Sequence, residues 1–205
     1  MDGRIWALML AAGRSVRMGE PKLLLPAPEG TVLRQSLRRI VDAAACRVAL
    51  VAAHDGPVRP ADAGDVAVEW IGSERSHLGL GASLAVGVRA LAERFAPDAV
   101  VVVLGDQPEL NPAVLRRVVA AYRESRSLIV QARYSDRPGH PVLFDSTLLP
   151  ELAALSGDSG ARAVLRRHAM SIRYVDVAAP APRDIDTPAD YAAYRARLGL
   201  ARPEH

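Results

Sequence analysis

The segment Ala11–Lys22 (AAGRSVRMGEPK) joins small residues to cations directly after the apolar run Ile5–Leu10. The small residues Ala11–Gly13 let backbone N–H groups approach a ligand closely, because no bulky side chain stands in the way. Arg17 and Lys22 then supply positive charge for several negative oxygens. The segment matches neither GxxxxGK[ST] nor GxGxxG. It predicts a phosphate-binding loop, and a tight strand-to-helix loop with solvated arginines is the alternative that the pattern leaves open.

Lys22 is the only lysine in a chain that has 26 Lys plus Arg. A compact ammonium group fits between phosphate oxygens where a planar guanidinium group cannot. A lysine at this one position therefore favours a functional charge over a chance occurrence.

Acidic residues follow two other candidate turns. Asp106 follows the apolar run Ala99–Leu104 with only Gly105 between them, and a carboxylate at the end of such a run is costly to bury unless a cation faces it. Beside a phosphate-binding loop that cation would be Mg²⁺, which binds carboxylates, phosphate oxygens and water. Alternatively, Asp106 is a turn residue that accepts hydrogen bonds from the backbone.

Asp184 and Asp186 are two residues apart and point the same way in an extended segment. One of them could complete the metal shell, or both could simply complement the next helix.

His140 lies between Gly139 and Pro141, and this restricted backbone suits a ligand contact, although a single histidine is more often structural. The segment Gly157–Arg162 (GDSGAR) could bind an anion at the start of a helix or form a simple capped turn.

Apolar, strand-like runs alternate with helical periods along the chain. This pattern predicts a three-layer α/β fold of Rossmann-like type, in which a mainly parallel sheet carries helices on both faces. The predicted strands are Ile5–Leu10, Val48–Ala53, Val66–Ile71, Ala99–Leu104, Leu128–Arg133, Pro141–Phe144 and Ser171–Val177. The predicted helices are Val32–Ala45, Gly79–Phe95, one that begins at Asn111-Pro112, Leu148–Leu155, Gly160–His168 and one from Thr187 to about Leu198. In such a sheet the loops beyond the carboxyl ends of the strands bind the ligand. Those loops are Ala11–Lys22, Ser73–Ser83, Gly105–Pro108 and Pro182–Thr187.

Composition narrows the functional classes. Residues 1–205 are expected to form one domain, since no linker, repeat or low-complexity tract interrupts them. A net charge of +3 and an aromatic content of 4% give poor support for a nucleic-acid groove. No apolar run approaches the length of a membrane span. Cys46 is the only cysteine and forms no intramolecular disulfide, which fits a reducing compartment. A cytoplasmic enzyme is the expectation.

With these motifs in view, the opening segment resembles the nucleotidyltransferase signature AAGxSxRMGxxK. The whole motif set, in its order, resembles the molybdenum cofactor cytidylyltransferases. The motifs that carry the resemblance are AAGRSVRMGEPK, GLGASL, GDQP, GHPVLF, GDSGAR and DIDTPADY. Related guanylyltransferases have LAGG where this chain has Leu10–Gly13 (LAAG), so the resemblance implies CTP rather than GTP. Some relatives have GDMP where this chain has GDQP (105–108). Gln107 replaces the methionine of those relatives and could therefore change which acceptor is preferred.

The resemblance implies a nucleotidyltransferase fold and Mg²⁺-dependent transfer of CMP from CTP to the phosphate of molybdopterin, with release of pyrophosphate. It implies catalytic roles for Arg17, Lys22 and Asp106, metal binding by Asp106 and Asp186, and acceptor contacts from Gln107 and His140. The implied nucleotide-binding residues are Ala11, Ala12, Gly13, Arg14, Ser15, Arg17, Lys22, Gly81, Ala82, Ser83 and Asp106.

Two alternatives remain at this stage. One is a nucleotidyltransferase for another acceptor, such as a sugar phosphate or an alcohol phosphate. The other is a non-catalytic carrier of the molybdenum cofactor. Docking of a molybdoenzyme or a chaperone is compatible with either function, but no docking motif is recognisable.

Overall fold

The computed structural model describes residues 4–200. Its strands, in chain order, are β1 (Ile5–Leu10), β2 (Pro26–Ala27), β3 (Gly30–Thr31), β4 (Arg47–Ala53), β5 (Glu69–Ser73), β6 (Ala99–Leu104), β7 (Ile129–Tyr134), β8 (Pro138–Asp145) and β9 (Ile172–Val177). Its α-helices are α1 (Val32–Ala43), α2 (Leu80–Phe95), α3 (Pro112–Ser125), α4 (Leu149–Ala153), α5 (Arg162–Arg167) and α6 (Pro188–Arg197). The strands β2 and β3 form a small separate ribbon, and the other seven form one sheet.

The order of the strands across the main sheet is β5-β4-β1-β6-β8-β7-β9. From β1 the chain builds outward through β4 to β5, and then returns to place β6 on the other side of β1. The direction in which the sheet grows therefore reverses between β1 and β6. Ligands of open α/β sheets bind beyond the carboxyl ends of the strands at such a reversal. The loops after β1 and β6 are thus the expected walls of a site.

Strand β8 runs antiparallel to both of its neighbours, β6 and β7. Its partner residues pair Val142 with Val102 and Asp145 with Ala99. Because β8 runs in the opposite direction, its first residues lie at the edge of the sheet where the parallel strands end. His140, near the start of β8, is therefore brought to the same edge as Asp106.

Helices cover both faces of the sheet. Side chains of α1, α3 and α6 belong to one buried cluster, and side chains of α2, α4 and α5 belong to the other. Successive residues of β1 alternate between the two clusters, as the two-residue period of a strand requires. The continuous apolar runs of β1 and β6 fit this position, since both of their faces are buried.

The predicted fold class is confirmed: the sheet is mostly parallel, with helices on both faces. Strands β1 and β6 have the predicted bounds. The predicted third strand was displaced, because β5 begins at Glu69 and not at Val66. Because β5 is an edge strand, its pairing with β4 determines its extent. That pairing starts with Ala49 of β4 opposite Glu69 of β5. The predicted caps Asn111 and Thr187 are confirmed, and each side chain accepts a hydrogen bond from a backbone N–H of its helix.

None of the helices within residues 4–200 combines the length and hydrophobicity that a membrane span requires.

Candidate active site

A cavity of about 830 Å³ lies at the carboxyl edge of the sheet. The four loops predicted to meet there all contribute to its lining, together with the first residues of β8 and the segment that leads into α5. Among the predicted site residues, those that line it are Ala11, Ala12, Gly13, Arg14, Arg17, Lys22, Ser83, Asp106, Gln107, His140 and Asp186.

Lys22 lies at the centre of an ionic cluster in this cavity. Its Nζ donates to Asp106 Oδ2 at 2.6 Å and to Asp186 Oδ1 at 2.8 Å. The second oxygen of Asp186, Oδ2, accepts from Arg17 Nη2 at 2.8 Å. The Lys22 side chain is only 11% exposed, whereas that of Arg17 is 71% exposed. The two carboxylates therefore share one shielded ammonium group, and Arg17 closes the cluster at its outer rim.

The protonation of the cluster follows from burial and pairing. Burial alone would lower the pKa of Lys22, but the charge of Asp106 and the hydrogen bonds to both carboxylates raise it above the ordinary value. Burial raises the pKa of Asp106, and Lys22 offsets only part of that effect. Burial would also raise the pKa of Asp186, yet Lys22 and Arg17 together hold it below its usual range. Lys22 is therefore charged at neutral pH. The pKa of Asp106 stays above its ordinary value, because the positive charge of Lys22 does not fully offset the effect of burial.

Backbone contacts fix the turn that carries Asp106. The N–H of Gly105 donates to the carbonyl of Leu10 at 3.0 Å, which ties this turn to the end of β1. The N–H of Ile185 donates to the carbonyl of Asp106 at 3.0 Å, which holds the acidic segment before α6 against it. The buried Ser36 of α1 places its Oγ 2.8 Å from the carbonyl oxygen of Gly105. Asp106 is thus held from three directions.

Replacement of Ser36 by alanine should lower the free energy of unfolding by about 1 kcal/mol, because the buried carbonyls of Gly105 and Val32 lose the hydroxyl proton that they share. Chemical denaturation followed by circular dichroism measures the change. Ser125→Ala is the control, since Ser125 hydrogen-bonds the Ala121 carbonyl within α3 at a partly exposed position. Equal losses in the two variants would contradict a special role for the Ser36 contact.

The opening loop is shaped by Ser15. This residue has a positive φ of 52°, and its Oγ accepts a hydrogen bond from the backbone N–H of Lys22 at 3.1 Å. Its carbonyl accepts from the N–H groups of Met18 and Gly19. Ser15 is not among the residues that line the cavity, so its contacts organise the loop that presents Arg14, Arg17 and Lys22. A Cβ at Gly13 would meet no atom within 4 Å, so the backbone there faces open space.

The start of α2 forms another wall, to which Ser83 contributes. Gly81 and Ala82, which were predicted to contact the nucleoside, are buried and do not line the cavity. The N–H of Gly81 donates to the carbonyl of Gly157 at 2.7 Å, and a Cβ at Gly81 would lie 2.8 Å from that oxygen. The GLGASL and GDSGAR motifs are therefore packed against each other.

The other side of the cavity is polar but carries fewer ion pairs. Gln107 is 6% exposed, and its Nε2 donates to Asp184 Oδ1 at 2.7 Å. The Oε1 atom of Gln107 is buried and has no hydrogen-bond partner among residues 4–200. The two acids Asp184 and Asp186 both line the cavity, as their spacing predicted, but they have different partners. Asp186 bonds Lys22, and Asp184 bonds Gln107.

His140 is half-buried and lines this side of the cavity. Its carbonyl accepts a hydrogen bond from the hydroxyl of Tyr134 at 2.7 Å, which fixes the backbone at the start of β8. Burial, to which the positive charge of Arg162 adds, lowers the pKa of His140 to about 4, although Asp184 acts in the opposite direction. The ring is therefore neutral at physiological pH and can donate one hydrogen bond and accept another.

The donor set of the cluster fits a divalent cation that is shared with phosphate. Within residues 4–200 no group of three or more His, Cys, Asp or Glu side chains is arranged to hold a metal alone. Asp106 and Asp186 nevertheless direct one oxygen each at a single cationic atom, Lys22 Nζ. Magnesium typically binds one or two carboxylates and completes its shell with phosphate oxygens and water. Two converging carboxylates are what such a site requires from the protein.

Several lining residues were not named among the predicted site residues, namely Arg137, Gln131, Asp158 and Arg162, although Asp158 and Arg162 belong to the segment Gly157–Arg162 that was expected either to bind an anion or to form a capped turn. A polar residue in an apolar strand could have revealed Gln131, which is 7% exposed in β7. The others lie in loops or at the start of a short helix, where the sequence pattern gives no direction for the side chain.

Comparison with known proteins identifies the family. Residues 7–172 match the family described as "MobA-like NTP transferase domain". The chain is 30% identical over 206 residues to the purine catabolism protein PucB of Bacillus subtilis, a match that covers 92% of this chain and 94% of PucB. It is 36% identical over 134 residues to the 2-C-methyl-D-erythritol 4-phosphate cytidylyltransferase of Saccharopolyspora erythraea, with coverage of 60% and 57%.

Among solved structures, the chain is similar to Rv0371c from Mycobacterium tuberculosis, with a TM-score of 0.80, 33% identity and coverage of 95% and 98%. A complex of Rv0371c with manganese is also similar, with a TM-score of 0.71, 29% identity and coverage of 93% and 97%. The chain belongs to the MobA-like NTP transferase family and is a nucleotidyltransferase.

Proposed function

We propose that this chain transfers CMP from CTP to the phosphate of molybdopterin and releases pyrophosphate. The observation that carries the proposal is the cluster in which Lys22 lies between Asp106 and Asp186, at the reversal of the sheet and beside the small-residue loop Ala11–Gly13. A carrier needs no such cluster, and family membership likewise favours a transferase. The residues 1–205 would form one catalytic domain.

The opening loop would bind the triphosphate. Its backbone at Gly13 is open to the cavity, and Arg14, Arg17 and Lys22 surround the space in front of it. Positive charge at these positions would stabilise the negative charge that develops on the departing pyrophosphate. Lys22 is suited to this role because its partners keep it protonated and hold its Nζ in one place. Ser83, on the opposite wall, would lie against the nucleoside.

Asp106 and Asp186 would hold the magnesium ion. When bound, magnesium would supply positive charge to the α-phosphate and its neighbours during in-line transfer. The raised pKa of Asp106 supports this assignment, since it indicates a carboxylate that a further cation would stabilise. No side-chain nucleophile is needed, because a phosphate acceptor is already anionic at neutral pH.

The acceptor would occupy the polar side of the cavity. The buried Oε1 of Gln107, which has no hydrogen-bond partner among residues 4–200, could accept a hydrogen bond from the acceptor. The neutral ring of His140 could donate one or accept one. Molybdopterin, with a pterin ring rich in donors and acceptors, would satisfy both groups. A sugar phosphate or an alcohol phosphate is the second candidate, favoured by the similarity to a cytidylyltransferase that acts on 2-C-methyl-D-erythritol 4-phosphate.

Titration calorimetry with CTP, GTP, ATP and UTP, each with and without MgCl₂, tests the nucleotide part of this proposal. We expect CTP to bind most tightly and its affinity to depend on the metal. Equal binding of the four nucleotides, or binding of none, would contradict the preference inferred from the segment Leu10–Gly13.

Replacement of His140 by alanine should raise the KM for the acceptor about tenfold and leave the KM for CTP unchanged, because one hydrogen bond to the acceptor is lost. Since the pKa of His140 is about 4, ionisation of His140 should make no contribution to the acceptor KM of the parent enzyme between about pH 5.5 and 8, so the pH profile of the His140→Ala variant should match the parent profile in shape. Steady-state kinetics at several pH values measure both quantities. His54→Ala, at an exposed position that does not line the cavity, is the control. A rise in the KM for CTP alone would assign His140 to the nucleotide instead.

A further inference from the structure

The cations that line the cavity fall into two groups. Arg14, Arg17 and Lys22 belong to the loop after β1, whereas Arg137 directly precedes β8, the strand that carries His140, and Arg162 begins α5. Strand β6, which carries Asp106 at its end, runs between β1 and β8 in the sheet. The opening loop and the start of β8, with Arg137 and His140, therefore lie on opposite sides of the strand that leads to Asp106, and the charge of Arg162 acts on His140. The proposed triphosphate needs only the first group.

Within the second group, Arg162 is the residue with an uncommitted charge. The guanidinium of Arg137 is paired with Asp136, whose Oδ2 lies 2.9 Å from Nη1. Arg162 uses its backbone N–H to bond the carbonyl of Ser159, but its guanidinium has no hydrogen bond or ion pair within residues 4–200. A guanidinium that lines a cavity without a protein partner is available to an anionic ligand.

The surroundings of Arg162 favour an anion. Arg162 and His140 both line the cavity, and the positive charge of Arg162 contributes to the low pKa of His140, so the histidine is uncharged. The carboxylate of Asp184, whose charge also acts on His140, already accepts a hydrogen bond from Gln107. The apolar side chains Leu165 and Phe144 also line the cavity here and suit the organic body of a ligand.

The position of Arg162 fits the reaction geometry. In phosphoryl transfer the attacking and leaving oxygens lie roughly in line on opposite sides of the phosphorus atom. If pyrophosphate departs toward Lys22 and Arg17, the attacking group must come from the side of His140 and Arg162. We propose that Arg162 binds the phosphate monoester of the acceptor, and that the enzyme therefore selects acceptors that carry this group. The proposal rests on the proposed nucleotidyl transfer but not on the identity of the acceptor.

Phenyl phosphate is a suitable probe, because it presents a phosphate monoester on an apolar ring. With the triphosphate loop filled by α,β-methylene CTP and Mg²⁺, the ring signals of His140 would be followed by NMR during titration. His140→Gln assigns those signals among the five histidines. We expect phenyl phosphate to shift the signals, phenol to leave them unchanged, and Arg162→Ala to weaken phenyl phosphate binding at least about tenfold. Arg166→Ala is the matched control, one turn further along α5 and outside the cavity lining.

Equal affinity of Arg162→Ala and the parent, an equal response to phenol, or no response of His140 would each overturn the assignment of Arg162. A parent enzyme that fails to use molybdopterin, but whose phenyl phosphate binding depends on Arg162, would remove molybdopterin as the acceptor and retain the phosphate subsite.

Discussion

Replacement of Lys22 by methionine should lower kcat about 100- to 1000-fold, the usual effect of removing one preorganised charge from a transition state. Among residues 4–200, Lys22 is the one group that hydrogen-bonds both Asp106 and Asp186, and its Nζ is shielded from water in a cavity that would hold a triphosphate. The KM for CTP should rise less than kcat falls, because the charge on the leaving pyrophosphate increases during the reaction. Steady-state assays of pyrophosphate release measure both.

Lys22→Arg separates charge from shape. The planar guanidinium retains the charge but cannot occupy the compact position between two oxygens at 2.6 and 2.8 Å, so we expect only partial recovery of kcat. Arg117→Met, on α3 and outside the cavity, should leave kcat unchanged. Circular dichroism would establish that each variant is folded. A kcat for folded Lys22→Met within about threefold of the parent, less than 1 kcal/mol in the barrier, would remove Lys22 from the mechanism.

The acidic residues provide the second large effect. Asp106→Asn and Asp186→Asn should each weaken Mg²⁺-dependent CTP binding by about 100-fold or more, since a bound metal contributes several kcal/mol to such sites. Asp184→Asn is the matched control, because it removes a neighbouring carboxylate that faces Gln107 instead of Lys22. It should retain the metal dependence of CTP binding and alter only the acceptor kinetics. Calorimetry with and without MgCl₂ measures the difference, and loss of the metal dependence in Asp184→Asn alone would exchange the two roles.

Much of the fold could be predicted from the sequence because its signals are local. The runs Ile5–Leu10 and Ala99–Leu104 are apolar throughout, which is typical of strands buried on both faces, and both bounds are confirmed. The caps Asn111 and Thr187 depend only on adjacent residues and are confirmed as well. The predicted start of β5 was wrong, because the pairing of β5 with β4, which is a tertiary contact, determines where the strand begins.

In the site, too, features that depend on local sequence could be predicted, and features that depend on tertiary contacts could not. Lys22 and Asp106 could be expected to meet, because both follow strands that end at the same edge of the sheet, and they are 2.6 Å apart. The different partners of Asp184 and Asp186 could not be predicted, since an i, i+2 spacing gives a common direction but no partner. The segment Gly157–Arg162 was predicted either to bind an anion or to form a capped turn, but the place of Arg162 in the cavity lining could not be predicted, since it depends on how that segment packs against the start of α2.

The most direct test of the proposed reaction is mass spectrometry of the products formed from CTP, Mg²⁺ and molybdopterin, together with an assay of pyrophosphate. The account predicts a product with the mass of molybdopterin plus a CMP residue, formed in equal amount with pyrophosphate and not formed by Lys22→Met. Consumption of CTP without that product, or the same product from Lys22→Met at the parent rate, would contradict it.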